Sequence, residues 1–308
     1  MGRTGPDPEP IDSPANDRLK LVRRLRRARD RRREGLFVAE GFRELDRLVT
    51  GYLVTGYLVT DQRATGGPAV VELLVSPALW TGRHERTLVD RIGASGAHVN
   101  QLTPRAFASI STQDKPDGLL AVAAIPPTGL DVQPPIRPDS LFCVVEGVER
   151  PGNLGTIART ALGAGVSGLI LCGPQVDPFH PEVVRGSVGT LFSLPLSVTG
   201  VAELSAWARA GGVRLVVTTP DAPTLYSDLD PIGPTAYVLG SEKTGATPAM
   251  LAGAHARVRI PMGPGIDSLN VGVATGIVLF DAVRARSSTG ATATAGPARP
   301  DSAARPVR

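Results

Sequence analysis

From residue 141 onward the apolar positions fall into two alternating patterns. "LFCVVEG", "GLILCG", "VRLVVT", "AYVLG" and "VRIP" are short, nearly continuous apolar runs closed by glycine, proline or polar residues, as buried strands are. Between them apolar positions recur at helical spacing. The pattern predicts strands at 141–145, 168–172, 213–218, 235–239 and 257–260, and helices at 153–164, 181–187, 201–210, 247–253 and 268–285. Such alternation implies an α/β fold with a mostly parallel sheet covered on both faces. The last helix is apolar almost all round (Leu269, Val271, Val273, Ala274, Ile277, Val278, Leu279) and is expected to be buried. Asn270 would then be a buried amide, costing about 1–3 kcal/mol without partners.

Upstream, "GLFVAEGFRELDRLVTG" reads as a strand and then a helix, and "VVELLVS", "AHVNQLT" and "LLAVAAI" as further strands separated by helical pieces. Together they suggest a small α/β domain spanning 16–125. The duplication "GYLVTGYLVT" repeats with a shift of five, which would reverse its faces within one strand, so a turn near Gly56 is expected. The Pro-rich stretch 126–140 reads as a linker, leaving 141–285 as a second domain. Residues 1–15 and 286–308 lack periodicity and are expected to be a disordered leader and tail.

Charge changes the picture. The chain of 308 residues has a formal net charge of +4. Residues 17–34, "DRLKLVRRLRRARDRRRE", alone carry a net of +7, leaving −3 for everything else. Asn16 is placed to cap a helix over about 17–33, with Leu21, Val22, Leu25 and Ala28 as a narrow apolar stripe and arginines elsewhere. So many like charges repel one another, and an anionic partner favours such a helix. Nucleic acid fits best, because each neutralised phosphate releases a counterion. Arg23, Arg24, Arg26, Arg27, Arg29, Arg31, Arg32 and Arg33 are the candidate RNA contacts. Aromatic residues make up only 4% of the chain, so stacking of single strands is not the mode expected. No run approaches the roughly 18 apolar residues of a membrane span, and the N-terminus has no apolar segment of the signal-peptide kind. Cys143 and Cys172 lie in apolar runs and read as buried free thiols of a reducing compartment. A cytoplasmic location is expected.

Three loops, each after a predicted strand, collect unusual residues. "NLGTIARTALGAG" carries Asn153, Gly155 and an arginine, Arg159, within an apolar helix. It has neither the G-x-G-x-x-G spacing of a dinucleotide site nor the Gly-Lys-Ser/Thr ending of a P-loop. "LGSEKTGA" carries Gly240, Glu242 and Gly245, and "IPMGPGIDSLNVGVATG" carries Ser268 and Asn270. In open parallel sheets, ligands bind beyond the carboxyl ends of the strands, so three such loops can line one site.

In this order "PGNLGTIARTALGAGVSGLIL", "YVLGSEKTGA" and "IPMGPGIDSLNVGVATGIVLFDA" resemble the three signature motifs of the SpoU/TrmH family, ribose 2′-O-methyltransferases of the SPOUT superfamily. "LRRARDRRREGLFVAEGFRE" is similar to the family's RNA-binding extension, of L30e-like fold. The resemblance implies a trefoil knot in the C-terminal domain, a homodimer with the site at the subunit interface, and S-adenosyl-L-methionine as cofactor, with no metal. By residue, it implies that Thr218, Gly240, Ile260, Met262 and Leu269 line the cofactor pocket. Asn153, Arg159, Glu242, Ser268 and Asn270 match the polar catalytic positions. An arginine's pKa above about 12 argues against its acting as a base; phosphate binding or stabilisation of a developing alkoxide suits Arg159 better.

The chain departs from the family pattern at Arg150-Pro151, where Asp-Pro is common, at Ser241, where asparagine is usual, and at Gly272, where serine is usual. The two-domain layout is more like the rRNA branch than the tRNA branch, and 23S rRNA is the expected substrate. A role in antibiotic self-resistance (thiostrepton or avilamycin type) is an extension of that reading. A different class, a non-catalytic RNA binder that kept the fold, need not have retained the whole polar set.

Overall fold

The computed structural model describes residues 9–51, 69–230 and 232–288. The "GYLVT" duplication lies outside them except for Gly51. The basic segment is two helices rather than one. Asn16 caps α1 (Asp17–Arg24), its side chain accepting from the Arg18 N–H at 3.0 Å. A turn separates α1 from α2 (Ala28–Glu34). The break has a specific cause. Arg31 folds back from α2 and donates to the carbonyls of Leu25 (2.8 Å) and Arg26 (2.9 Å). These are the groups a helix end leaves without partners. The buried stripe is Leu19, Val22 and Leu25 rather than the expected set with Leu21 and Ala28.

The chain continues through β1 (Leu36–Glu40), α3 (Phe42–Thr50), β2 (Val70–Val75), α4 (His84–Ala94), β3 (His98–Gln101), α5 (Pro104–Ala108) and β4 (Leu119–Ala124). Among the described residues these strands form one sheet in the order β1-β4-β2-β3. β4 runs antiparallel to both neighbours, and β2 and β3 are parallel. Residues 9–15 were expected to be disordered. Instead Ile11 pairs with the backbone beside Leu102, donating to the Gln101 carbonyl at 2.8 Å and accepting from the Thr103 N–H at 3.0 Å.

The second part runs β5 (Leu141–Glu146), α6 (Pro151–Gly163), β6 (Gly168–Cys172), α7 (Pro181–Gly186), β7 (Leu196–Thr199), α8 (Val201–Ala210), β8 (Arg214–Thr218), β9 (Thr224–Leu225), β10 (Thr235–Leu239), α9 (Pro248–Ala252), β11 (Ala256–Arg259) and α10 (Val271–Ser288). The sheet order among the described residues is β7-β6-β5-β10-β8-β11-β9, with every pair parallel. β5, β6 and β10 are buried along their whole length, as inner parallel strands must be. Proline at the first position of α6, α7 and α9 starts each helix where its missing N–H costs nothing. β7 and β9 were not anticipated; runs of four and two residues carry too little periodicity. α10 extends to Ser288, beyond the expected start of the tail, and Arg286 donates to the carbonyls of Asp139 (2.6 Å) and Gly233 (2.9 Å).

Cys143 and Cys172 are free and buried, and burial pushes their thiols up to about 12 and about 11. No helix among the described residues is long and apolar enough to cross a membrane. The stretch between β4 and β5 is packed against the second sheet, with Gln133 donating to Ser197 Oγ at 2.8 Å. The two sheets also share a core: the Phe37 ring lies 5.0 Å from that of Phe179 and 5.4 Å from that of Phe192.

Candidate active site

The loops after β5 and β10 and the loop after β11 meet beyond the carboxyl ends of the strands. Glu146 ends the otherwise apolar β5 and accepts from the Thr247 N–H (2.9 Å) and hydroxyl (2.7 Å), tying the second loop to the first. Within the second loop Ser241 and Gly245 bond each other's backbone at 3.1 and 3.0 Å, folding the chain back over Gly240. A Cβ on Gly240 would lie 2.3 Å from the Ala246 nitrogen and the Gly245 carbonyl carbon, so only glycine fits there.

Polar side chains then link all three loops. Asn153 donates to Glu242 Oε1. Asn270 donates to Asn153 Oδ1 at 3.0 Å, and its own Oδ1 accepts from the Gly272 N–H at 2.9 Å. Asn270 is thus exposed at the start of α10, in the manner of a capping residue. The expectation of a buried amide inside a buried helix is corrected: α10 starts at Val271, and Val273 and Phe280 are each 51% exposed.

Below this chain of hydrogen bonds opens a cleft of about 490 Å³. All five expected cofactor residues, Thr218, Gly240, Ile260, Met262 and Leu269, line it, as do Glu242 and Ser268. The Thr218 hydroxyl is buried at its wall without a partner. Buried polar atoms are rarely left so, and a bound polar molecule would complete it. An apolar wall, a bare backbone at Gly240 and this hydroxyl suit a flat heteroaromatic group with polar edges. They therefore fit an adenosyl moiety. Glu146, which sequence reasoning passed over, was signalled by a carboxylate closing an apolar strand.

Arg159 is not brought to the cleft. It is exposed on α6 together with Gly152, Thr156 and Gly163, positions that fall on one helical stripe. That stripe adjoins the exposed side of α10: a Cβ on Gly276 would be 3.6 Å from Thr160 Cγ2, and one on Gly163 would be 3.7 Å from the Phe280 ring. Gly155, by contrast, is the point of close helix packing, since a Cβ there would be 2.6 Å from the backbone of Gly186.

The candidate RNA contacts divide. Arg24, Arg27, Arg29, Arg32 and Arg33 are exposed, with Arg33 paired to Asp30 and Glu34. Arg26 is exposed and donates to the Ile110 carbonyl at 2.8 Å, while half-buried Arg23 reaches Pro14 and Ser109. Arg31 is corrected: it is fully buried and paired with Asp177 at 2.6 Å, so it braces the two parts together and cannot touch RNA.

Residues 140–280 match the model described as the SpoU rRNA Methylase family, and residues 16–121 that of the MRM3-like substrate binding domain. A protein of Synechocystis sp. named as an uncharacterized tRNA/rRNA methyltransferase is 30% identical over 89% of this chain and 93% of its own. The 23S rRNA (uridine(2479)-2′-O)-methyltransferase of Streptomyces viridochromogenes is 36% identical over 59% of this chain and 64% of its own. Among solved structures, the AdoMet-bound rRNA methyltransferase from Sinorhizobium meliloti superposes with a TM-score of 0.78 at 28% identity, covering 90% of this chain and 97% of that one.

Proposed function

Because the chain belongs to the SpoU rRNA methylase family, we propose that it transfers a methyl group from S-adenosyl-L-methionine to a ribose 2′-hydroxyl of 23S rRNA. The observation that carries this is the cleft, with the linked Glu242, Asn153 and Asn270 at its rim. S-adenosylmethionine, when bound, supplies an already activated sulfonium methyl, so no metal is required. Thr218, Gly240, Ile260, Met262 and Leu269 would hold it. The acceptor hydroxyl is a poor nucleophile and must be oriented and relieved of a proton near the transition state. Asn153 and Asn270 orient the ribose, and Glu242 and Ser268 hold the loops around it. Arg159, always cationic, binds the adjoining phosphate or stabilises the developing alkoxide.

Arg159 stands away from the cleft of its own chain, on a face rich in exposed apolar and small residues: Val273, Phe280, Gly163. Such a face is the kind a partner covers. The reading therefore includes a homodimer in which this face meets its equivalent and Arg159 serves the cleft of the second copy. The exposed arginines of α1 and α2 hold RNA backbone around it.

The test is transfer of labelled methyl to in vitro transcribed 23S rRNA, followed by mapping of alkali-resistant linkages. One ribose-methylated position is expected, and it identifies the nucleotide and any link to a ribosome-directed antibiotic. Methylation of tRNA alone would move the substrate assignment, and binding of RNA without methyl transfer would mark a non-catalytic binder.

A further inference from the structure

Arg47 of α3 lies where the two parts of the molecule touch. Its Nη1 donates to the carbonyl of Val188. Val188 has a φ of 53°, a left-handed conformation that β-branched residues seldom adopt. Next to it, Gly189 presses so close to α3 that a Cβ would come 2.9 Å from Glu44 Cα and 3.2 Å from Arg47 Cβ. The same loop follows α7, whose Gly186 packs on Gly155 of α6, the helix of Arg159. The charges of Arg43, on its own helix, and of Arg159, on the other part, both act on Arg47. Its pKa is lowered, chiefly by burial and further by the charges of Arg43 and Arg159, against the opposing pull of Glu44 and Asp46.

Glu44 and Asp46 act on the Arg47 charge without forming an ion pair with it. Asp46 is engaged by Arg91 at 2.6 Å. Glu44 is buried, and its pKa is raised, chiefly by burial and further by Asp117, against the opposing pull of Arg43 and Arg47. Among the described residues, none of Arg43, Arg47 and Arg159 has a carboxylate within the 4.0 Å of an ion pair. A set of guanidiniums brought together by packing, with one of them fixed by a carbonyl and its remaining donors uncommitted, is the chemistry of a phosphate site.

We propose that Arg43 and Arg47 of the N-terminal part and Arg159 of the catalytic part form one anion site that holds a phosphodiester of the RNA strand carrying the reacting ribose. The proposal rests on the methyltransferase reading above. It makes the junction between the two parts a portion of the substrate site, so that the α3 surface positions RNA for the same reaction that Arg159 serves.

The experiment compares wild type, Arg47→Gln and Arg43→Gln on in vitro transcribed 23S rRNA. It reads the dependence of binding on salt, KM and kcat, with S-adenosylmethionine affinity by calorimetry as an internal control. Glutamine at 47 removes the charge but is too short to reach the Val188 carbonyl as the guanidinium does. Each variant should flatten the slope of log K against log salt, by at most about 0.7–0.9, the value of the one phosphate contact that the arginines share. KM for RNA should rise, with cofactor affinity unchanged. Arg43 is exposed, so Arg43→Gln reads the site even if Arg47→Gln loosens the junction. Wild-type slope and KM in both variants, in a protein that binds cofactor and methylates the transcript, would overturn the anion site and leave the activity standing. A wild-type protein that neither binds cofactor nor transfers methyl would overturn the reading on which it rests.

Discussion

Gly155→Ala measures how tightly α6 is seated. Inside a helix alanine is favoured over glycine by about 0.8–1.0 kcal/mol, so propensity alone predicts a more stable protein. At this position the new Cβ would meet the Gly186 carbonyl carbon at 2.6 Å, the Ser187 nitrogen at 2.8 Å and Gly186 Cα at 2.9 Å. All three are backbone atoms, which cannot rotate aside. Carbon contacts are comfortable from about 3.5 Å, so the two helices must part by roughly 0.6–0.9 Å. Overpacking of this kind costs about 1–3 kcal/mol and at times more. The clash wins, and a net loss of about 1–2 kcal/mol is expected, or a Tm lower by about 2–4 °C for a chain of this size. Gly152→Ala is the control: it is on the same helix with nothing within 4 Å of the added Cβ, and it should leave Tm unchanged or slightly raised. Thermal unfolding followed by circular dichroism reads both. A Gly155→Ala protein as stable as wild type would refute the packing argument.

Other perturbations separate the remaining parts. Asp177→Asn leaves the fully buried Arg31 guanidinium without its counter-charge. Such a break costs about 3–5 kcal/mol, with the lower end expected because Asp177 keeps 26% of its side chain exposed; denaturant titration would show it, and a change under about 0.5 kcal/mol would rule out a bracing role. Gly240→Ala should weaken S-adenosylmethionine binding at least about tenfold, or 1.4 kcal/mol, because the added Cβ displaces the loop; calorimetry with wild-type affinity would contradict that. Arg159→Ala should lower kcat by about 10²–10³, the scale of a lost charge-stabilising donor, with cofactor affinity intact. Near-normal turnover would remove Arg159 from the chemistry.

Much of this architecture is legible in the chain itself. The apolar runs of β5, β6 and β10 are buried on both faces, so hydrophobicity alone marks them, and Pro151, Pro181 and Pro248 mark helix starts. Long-range pairing was not legible. Nothing in "RRARDRRRE" says that Arg31, alone among these arginines, turns inward to meet Asp177 and breaks the helix. The apolar composition of α10 argued for burial, yet Val273 and Phe280 are exposed; composition alone does not say which face of a helix meets the core. Asn153, Glu242 and Asn270 could be picked out as unusual residues of three post-strand loops, but not their hydrogen bonds, which join loops about a hundred residues apart. Arg47 had no signal beyond being one of many arginines.

In the proposed dimer, one methyl-transfer site is made from the cleft of one copy and Arg159 of another. Mixing two inactive proteins tests it: Arg159→Ala, which keeps its cleft, and Gly240→Val, which keeps Arg159. After the subunits are allowed to exchange, mixed dimers hold one complete site, and activity on 23S rRNA should return to about a quarter of wild type for random pairing of symmetric dimers. A mixture as inactive as its components, with exchange shown by a tag on one of them, would contradict the shared site.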